Sequence, residues 1–453
     1  MDTFFTQEAF DNEGFCFSKE NKAKNIILGA LPSEEVRASL LAKKRKDRFF
    51  IINEVIKKNP YRVEAPCVDV PRCGGCVFQH YDYKGQLELK KTRIHRLFPE
   101  DKQNCLEIIP SPKIFQYRSK MDFSFSQNKS GDKFLGLTQA KGSGRVMNTQ
   151  SCQLASLWAS QVLKITQENF KASHLKAYDR SGEGDLRTLI TREGVNTHEK
   201  MVILEIVAHQ NSAFKKKDID FFFEKLKELH KDTSCYLRVV QMIPKIPTQF
   251  YEMHLSGPLH IQEKLQIKDK SYHFKISPSA FFQPNSYSAQ KLFEAIVDIV
   301  RPLKPLKVLD LFCGTGTIGL VLAPYVKSCV GVEINPYAIF DAKENAELNA
   351  ISNISFVTQD AALFIKDNKE HFDLVVVDPP RAGLGPKTCQ MLCDIKSDYI
   401  LYVSCNPVTQ ANDVLLLKEK GYGLCHIQPL DQFPHTNHCE NIILLKSKDC
   451  QNP

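Results

Sequence analysis

Five short runs toward the carboxyl end, "KVLDLFC", "SCVGVEIN", "ISFVTQD", "FDLVVVDPP" and "YILYVSCN", are almost continuously apolar and rich in β-branched residues. Strands with no polar face are covered on both sides, which is the habit of parallel sheets. Segments with helical spacing separate them. "PYAIFDAKENAELNA" is one, and "VTQANDVLLLKEKG" is another, stopped by Gly421 in the manner of a C-terminal glycine. Strands alternating with helices predict an α/β domain, a doubly covered parallel sheet. "LCHIQPL" and "NIILLKS" follow without a helix between them and predict a closing antiparallel pair.

Upstream the period shortens. "KMDFSFSQ", "DLRTLITRE" and "KMVILEIVA" read as strands, with helical patterns such as "FFFEKLKELH" between them, so a mixed α+β region is predicted. The first stretch, with "NIILGALPSEEVRASLL" and "DRFFIINEVIKK", reads as short strands broken by turns, of the size of a small β-barrel that holds nucleic acid. Three domains are expected: residues 1–59, 60–264 and 265–453.

Composition agrees with several ordinary globular domains. The chain has 453 residues, of which 43% are hydrophobic and 25% charged. The opening "MDTFFTQEAFDNEG" is acidic and lacks the basic start and apolar run of a signal peptide. No apolar stretch approaches the ~20 residues that span a bilayer, so a soluble, cytoplasmic, monomeric protein with no membrane partner is expected. A formal net charge of +8 is compatible with a polyanion. Basic runs at 43–48 ("KKRKDR") and at Lys90, Lys91, Arg93 and Arg96 are candidate contacts, the alternative being solvated faces. Fifteen cysteines, an odd count in a reducing compartment, point to metal binding or chemistry rather than disulfides.

"VLDLFCGTGTIGL" places Gly314, Gly316 and Gly319 in a G-x-G-x-x-G spacing between a strand and a helix. Glu333, at the end of the next strand, is placed to bind the two hydroxyls of a ribose. That pattern suits a dinucleotide or S-adenosylmethionine equally. "DLVVVDPPRAGL" then sets Asp378 at the carboxyl end of the fourth strand, and "YVSCNP" sets Cys405 at the same edge of the fifth. A dehydrogenase needs no thiol there, whereas a methyltransferase acting on carbon has a use for one. Near the other end, "CVDVPRCGGC" brings Cys67, Cys73 and Cys76 together. Three thiolates are one short of four, Cys105 is a rival for the last place, and spacing alone suits zinc or iron.

With "DPPRAGL", "YVSCNP", "DQFPHTNHCE" and "KISPSAFFQPN" in view, the chain resembles the RNA uracil-5 methyltransferases, the type acting on 23S ribosomal RNA. The resemblance runs over nearly the whole chain and is most specific in its C-terminal motifs. It implies a C-terminal Rossmann-like class I methyltransferase sheet, an N-terminal TRAM/OB-like β-barrel that binds RNA, and a central α+β domain with an iron–sulfur site. It further implies Cys405 as nucleophile and Glu440 as proton acceptor. S-adenosylmethionine contacts are implied at Gln283, Phe312, Thr317, Glu333, Asp360 and Asp378. A [4Fe–4S] cluster is implied on Cys67, Cys73, Cys76 and Cys152.

The chemistry makes these roles reasonable. C5 of uracil is a poor nucleophile until a thiolate adds to C6, and a base must then remove the C5 proton. His435 and His438 compete with Glu440 for that role or bind phosphate. The chain departs from the family pattern at Asn412 and Cys439. Competing expectations are the same chemistry on the T-loop uridine of tRNA, an amino-group methyltransferase, and a non-catalytic RNA-binding iron–sulfur protein. Arg381 after the two prolines, where an aromatic residue is usual for amino-group transfer, weighs against the second of these.

Overall fold

The computed structural model describes residues 2–450 except 7, 8, 12, 21, 22, 180, 210, 211, 243–247 and 369. Seven strands form the carboxyl-terminal sheet: β1 (Lys307–Leu311), β2 (Ser328–Glu333), β3 (Ile354–Thr358), β4 (Leu374–Val377), β5 (Tyr399–Ser404), β6 (Tyr422–Leu430) and β7 (Glu440–Ser447). Their order is β3-β2-β1-β4-β5-β7-β6. The first five are parallel, and β7 runs antiparallel to both β5 and β6. Leu374–Val377 is fully buried, as a strand covered on both faces must be.

Helices cover the two faces: α1 (Tyr83–Leu97), α2 (Ser286–Val300), α3 (Thr317–Leu322), α4 (Pro336–Leu348), α5 (Ala361–Asp367), α6 (Gly385–Asp394) and α7 (Pro407–Glu419). Gly421, at φ +100°, ends the turn after α7, where a side chain would be strained.

A second six-stranded sheet lies between residues 120 and 256, with helices Leu157–Ala172 and Lys216–Leu229 packed on it. A third six-stranded sheet occupies residues 2–57. Its strands Glu35–Lys44 and Asp47–Lys57 meet in a tight turn, so Lys43, Lys44, Arg45, Lys46 and Arg48 stand exposed at a hairpin tip. No helix among the described residues is long and apolar enough to cross a membrane.

The structure corrects two expectations of organisation. A boundary at 264/265 would cut the strand Ile261–Ile267, which pairs with Lys270–Ile276. Ile261, Leu265, Tyr272 and Phe274 of this hairpin pack in one core with α2 and the carboxyl-terminal sheet. Likewise α1 does not belong to the central sheet. Ile94 and Phe98 are buried with Leu309, Val375 and Ile443, each such side chain contributing roughly 1.5–3 kcal/mol. Local pattern cannot show this, because an apolar stripe does not say which sheet it meets. The second correction concerns the basic run at 90–96. Lys90 is 1% exposed and paired with Asp431, and Arg93 donates to the Asn437 carbonyl, so neither faces a polyanion. Arg96 is exposed.

Candidate active site

The carboxyl edge of the sheet gathers the chemistry. After β1 the backbone enters the left-handed region at Phe312 (φ +63°), Gly314 (+55°) and Gly316 (+78°). A Cβ on Gly316 would stand 2.9 Å from the Phe356 ring, so this glycine lets the turn close against β3. A Cβ on Gly314 would meet nothing within 4 Å, which leaves an open cradle above the loop. Glu333 braces that cradle: Gly314 N–H donates to it at 3.3 Å and Asn335 N–H at 2.9 Å. Thr317 opens α3, half-buried under the loop. The geometry suits a nucleoside whose hydroxyls meet Glu333 and whose other end passes over Gly314.

The remaining cofactor candidates are held in different ways. Asp360 caps α5, accepting from Leu363 N–H at 3.1 Å, so one of its oxygens is committed to the helix. Gln283 accepts from Gln432 at 3.2 Å, and Asn285, two residues on, donates to the Gln432 carbonyl at 2.9 Å. This stitches the segment before α2 to the loop after β6.

Cys405 and Glu440 lie on different strands of the carboxyl-terminal sheet and meet through strand register. Ser404 pairs with Asn441 across the antiparallel β5–β7 ladder, so Cys405 and Glu440 are the next residues beyond it on each strand. Asp378 leaves the neighbouring β4, whose Val377 pairs with Tyr402. Burial pushes the Cys405 thiol up, Glu440 and Asp378 add to that, and the Arg381 guanidinium opposes it with charge and a hydrogen bond. Glu440 is 3% exposed, and burial holds its carboxyl well above the usual range, with Asp378 reinforcing the effect and Arg381 opposing it. Burial also lifts Asp378 to about 7. A thiol, two carboxyls of raised pKa and one arginine thus interact at one sheet edge, which is the usual signature of acid–base and nucleophilic chemistry.

Two histidine expectations fall differently. His435 is 3% exposed, stacked 4.3 Å from Phe115, and lowered to about 4 by burial, so it is a structural member of its loop. His438 is exposed and contacts the Arg381 guanidinium at 2.7 Å.

Sequence reading missed Asp413. Its carboxylate accepts from Leu384 N–H (2.8 Å), Gly385 N–H (3.0 Å) and the Tyr402 hydroxyl (2.7 Å). It therefore pins the loop that carries Arg381. Its signal was a lone acid on the apolar side of a helix, which only packing could interpret.

At the other site, Cys67, Cys73, Cys76 and Cys152 line one cavity of about 180 Å³. Burial raises the Cys73 thiol to about 11, and Cys152 and Cys67 raise it further. Cys76 is pushed up by burial and by Cys152, Cys73 and Cys67. As neutral thiols the four need no counter-charge; as thiolates they would need a cation between them. Cys105 lies elsewhere, bridged to Ile427.

A family model for tRNA (uracil-5-)-methyltransferase matches residues 82–448. The chain is 37% identical to an uncharacterized RNA methyltransferase of Protochlamydia amoebophila, over 92% of this chain and 98% of that one. It is 33% identical to an uncharacterized RNA methyltransferase of Caldanaerobacter subterraneus, over 96% and 95%. Among solved structures it is similar to the tRNA (uracil-54, C5)-methyltransferase of Pyrococcus abyssi, determined with S-adenosyl-L-homocysteine. The identity there is 26%, the TM-score 0.71, and the coverage 98% of this chain and 100% of that one.

Proposed function

The chain belongs to the tRNA (uracil-5-)-methyltransferase family, and on that premise we propose that it methylates C5 of a uridine in 23S ribosomal RNA through a covalent adduct at Cys405. The observation that carries the mechanism is the placing of Cys405, Glu440, Asp378 and Arg381 at one sheet edge beside the cofactor cradle. S-adenosylmethionine supplies the methyl group as an electrophile.

The chain's own residues do the rest. The Cys405 sulfur, as thiolate, bonds to C6 of the ring and pushes electrons onto C5, which takes the methyl group. Arg381 favours that thiolate. Glu440 then accepts the C5 proton, the C5–C6 double bond re-forms, and the carbon–sulfur bond breaks to return the thiolate. A carboxyl lifted by burial is a stronger base than a free one, which suits a carbon acid. Burial raises the Asp378 carboxyl, and in its protonated form it can donate a hydrogen bond to a ring oxygen. A uridine within folded RNA must leave its stack to reach Cys405, at a cost of a few kcal/mol.

The cysteine cavity fits a [4Fe–4S] cluster held by Cys67, Cys73, Cys76 and Cys152. Four cysteine sulfurs facing one cavity suit zinc or iron, and the resemblance to the uracil-5 methyltransferases favours the cluster. The reaction moves no net electrons, and the cluster's part is structural. The exposed basic hairpin at 43–48 supports RNA binding by a TRAM-like amino-terminal sheet.

One observation favours a second RNA. The archaeal tRNA enzyme is covered along its whole length, so the amino-terminal sheet does not by itself indicate ribosomal RNA. A uridine of tRNA is therefore the alternative substrate. Both points are tested by incubating the protein and methyl donor with 5-fluorouridine-containing 23S fragments and tRNA transcripts. A denaturation-resistant adduct on the 23S fragment, lost in Cys405→Ser, is expected. An adduct that survives Cys405→Ser overturns the mechanism, and one confined to tRNA overturns the substrate.

A further inference from the structure

The loop that delivers Glu440 does not hold itself in place. Leu430 and Glu440 pair across β6 and β7, and residues 431–439 form an excursion between them. Within it His435 adopts φ +65°, a conformation a histidine keeps only when its surroundings impose it.

Tyr117, Phe115, Asn285 and Ser288 touch the loop, and one face of α1 holds it at the most points. Gln86, Lys90 and Arg93 follow one another at helical spacings of four and three, so they share a stripe. The Gln86 side-chain oxygen accepts from His435 N–H at 2.9 Å, while its amide donates to the Tyr81 carbonyl at 2.8 Å and the Phe78 carbonyl at 3.1 Å. The Lys90 ammonium donates to Asp431 at 2.6 Å and to the Phe433 carbonyl at 3.1 Å. Arg93 donates to the Asn437 carbonyl at 3.0 Å. Lys90 and Asp431 are 1% and 0% exposed. A buried ion pair is a poor source of stability compared with apolar side chains of the same volume, but it fixes one register between the segments that carry it.

We propose that α1 is a clamp for the catalytic base, with Gln86, Lys90 and Arg93 as positioning residues that hold 431–439 so that Glu440 faces the ring. The clamp also joins the two sites. Val77 N–H and Phe78 N–H, directly after Cys76, donate to the His435 carbonyl at 2.8 and 3.0 Å, so the cysteine segment braces the same loop from its other side.

This inference rests on Glu440 being the base, and it separates the steps of the reaction. Thiolate addition and methyl transfer do not use Glu440, whereas proton removal and release of sulfur do. A loosened clamp therefore leaves methylated RNA attached to Cys405.

The test uses full-length protein and ordinary uridine RNA. Lys90→Met combined with Asp431→Asn removes the ion pair without stranding a charge. Turnover is expected to fall by roughly a hundredfold, the effect of a small misplacement of a catalytic group, while a denaturation-resistant methylated adduct accumulates. Affinity for S-adenosylhomocysteine is expected to stay unchanged. Should that double variant fail to fold, Arg93→Gln, which removes one peripheral bond, gives a smaller change in the same direction. Unchanged turnover overturns the clamp. So does a loss of turnover with equal loss of adduct on 5-fluorouridine RNA, the mark of a merely structural defect. Glu440→Gln separates the two readings. If it traps the adduct while the clamp variants do not, only the clamp falls; if it turns over freely, the base assignment falls and the clamp with it.

Discussion

Asp310, next to last in β1, is 1% exposed. One of its oxygens accepts from Gly319 N–H at 2.9 Å, and the other has no hydrogen-bond partner among the described residues. Burial pushes its carboxyl from 3.8 up to about 7, and Asp378 and Glu333 add to the rise. Between those two values the unfolded chain has released the proton and the folded protein has kept it. Stability contributed at low pH is therefore lost as pH rises through that window. Asp310→Asn keeps an acceptor for Gly319 and has no proton to lose. The stability of the variant relative to the parent should be smallest near pH 4, grow through neutrality and level off above pH 7. The window of about three pH units, at about 1.36 kcal/mol each, caps the gain at about 4 kcal/mol. Urea unfolding of cofactor-free protein, followed by circular dichroism at several pH values, measures it. Asp378 titrates in the same region in both proteins and largely cancels. A difference between variant and parent that does not vary with pH, or that shrinks through the window, refutes the reasoning.

Gly316→Ala combines a left-handed backbone with a clash against Phe356 and should cost about 2–4 kcal/mol and weaken S-adenosylhomocysteine binding by calorimetry. Gly314→Ala, whose Cβ meets open space, should cost only the backbone strain. Because burial holds the Cys405 thiol above 9.0, its alkylation, followed by mass spectrometry of the Cys405 peptide, should rise about tenfold per pH unit between neutrality and pH 8. Arg381→Gln should move that profile to still higher pH, and an unmoved profile removes Arg381 from the mechanism. Cys152→Ala and Cys73→Ala should each lose the iron content and visible absorbance of the purified protein, whereas Cys105→Ala should keep both.

Much of this protein is written locally. Uninterrupted apolar runs such as "LVVV" can only be strands covered on both faces, and their alternation with amphipathic helices leaves a parallel sheet as the economical fold. Gly314 and Gly316 mark the cofactor loop because a left-handed turn tolerates few other residues. The chemical character of Cys405 is likewise readable from its place after a strand in such a sheet. Everything that depends on which segments meet came only with the tertiary structure. The sequence presents Lys90 and Arg93 as a basic patch, since charge alone suggests solvent, yet packing of α1 against α7 turns them inward onto 431–439. It presents Glu440 as a residue at the start of a strand, and only antiparallel register against β5 brings it to Cys405, where burial raises its affinity for a proton. Local composition fixes what a residue is able to do, while the dielectric around it and the partner across from it are set by residues on other elements, near in sequence for Cys405 and Glu440 and far for Lys90 and Asp431.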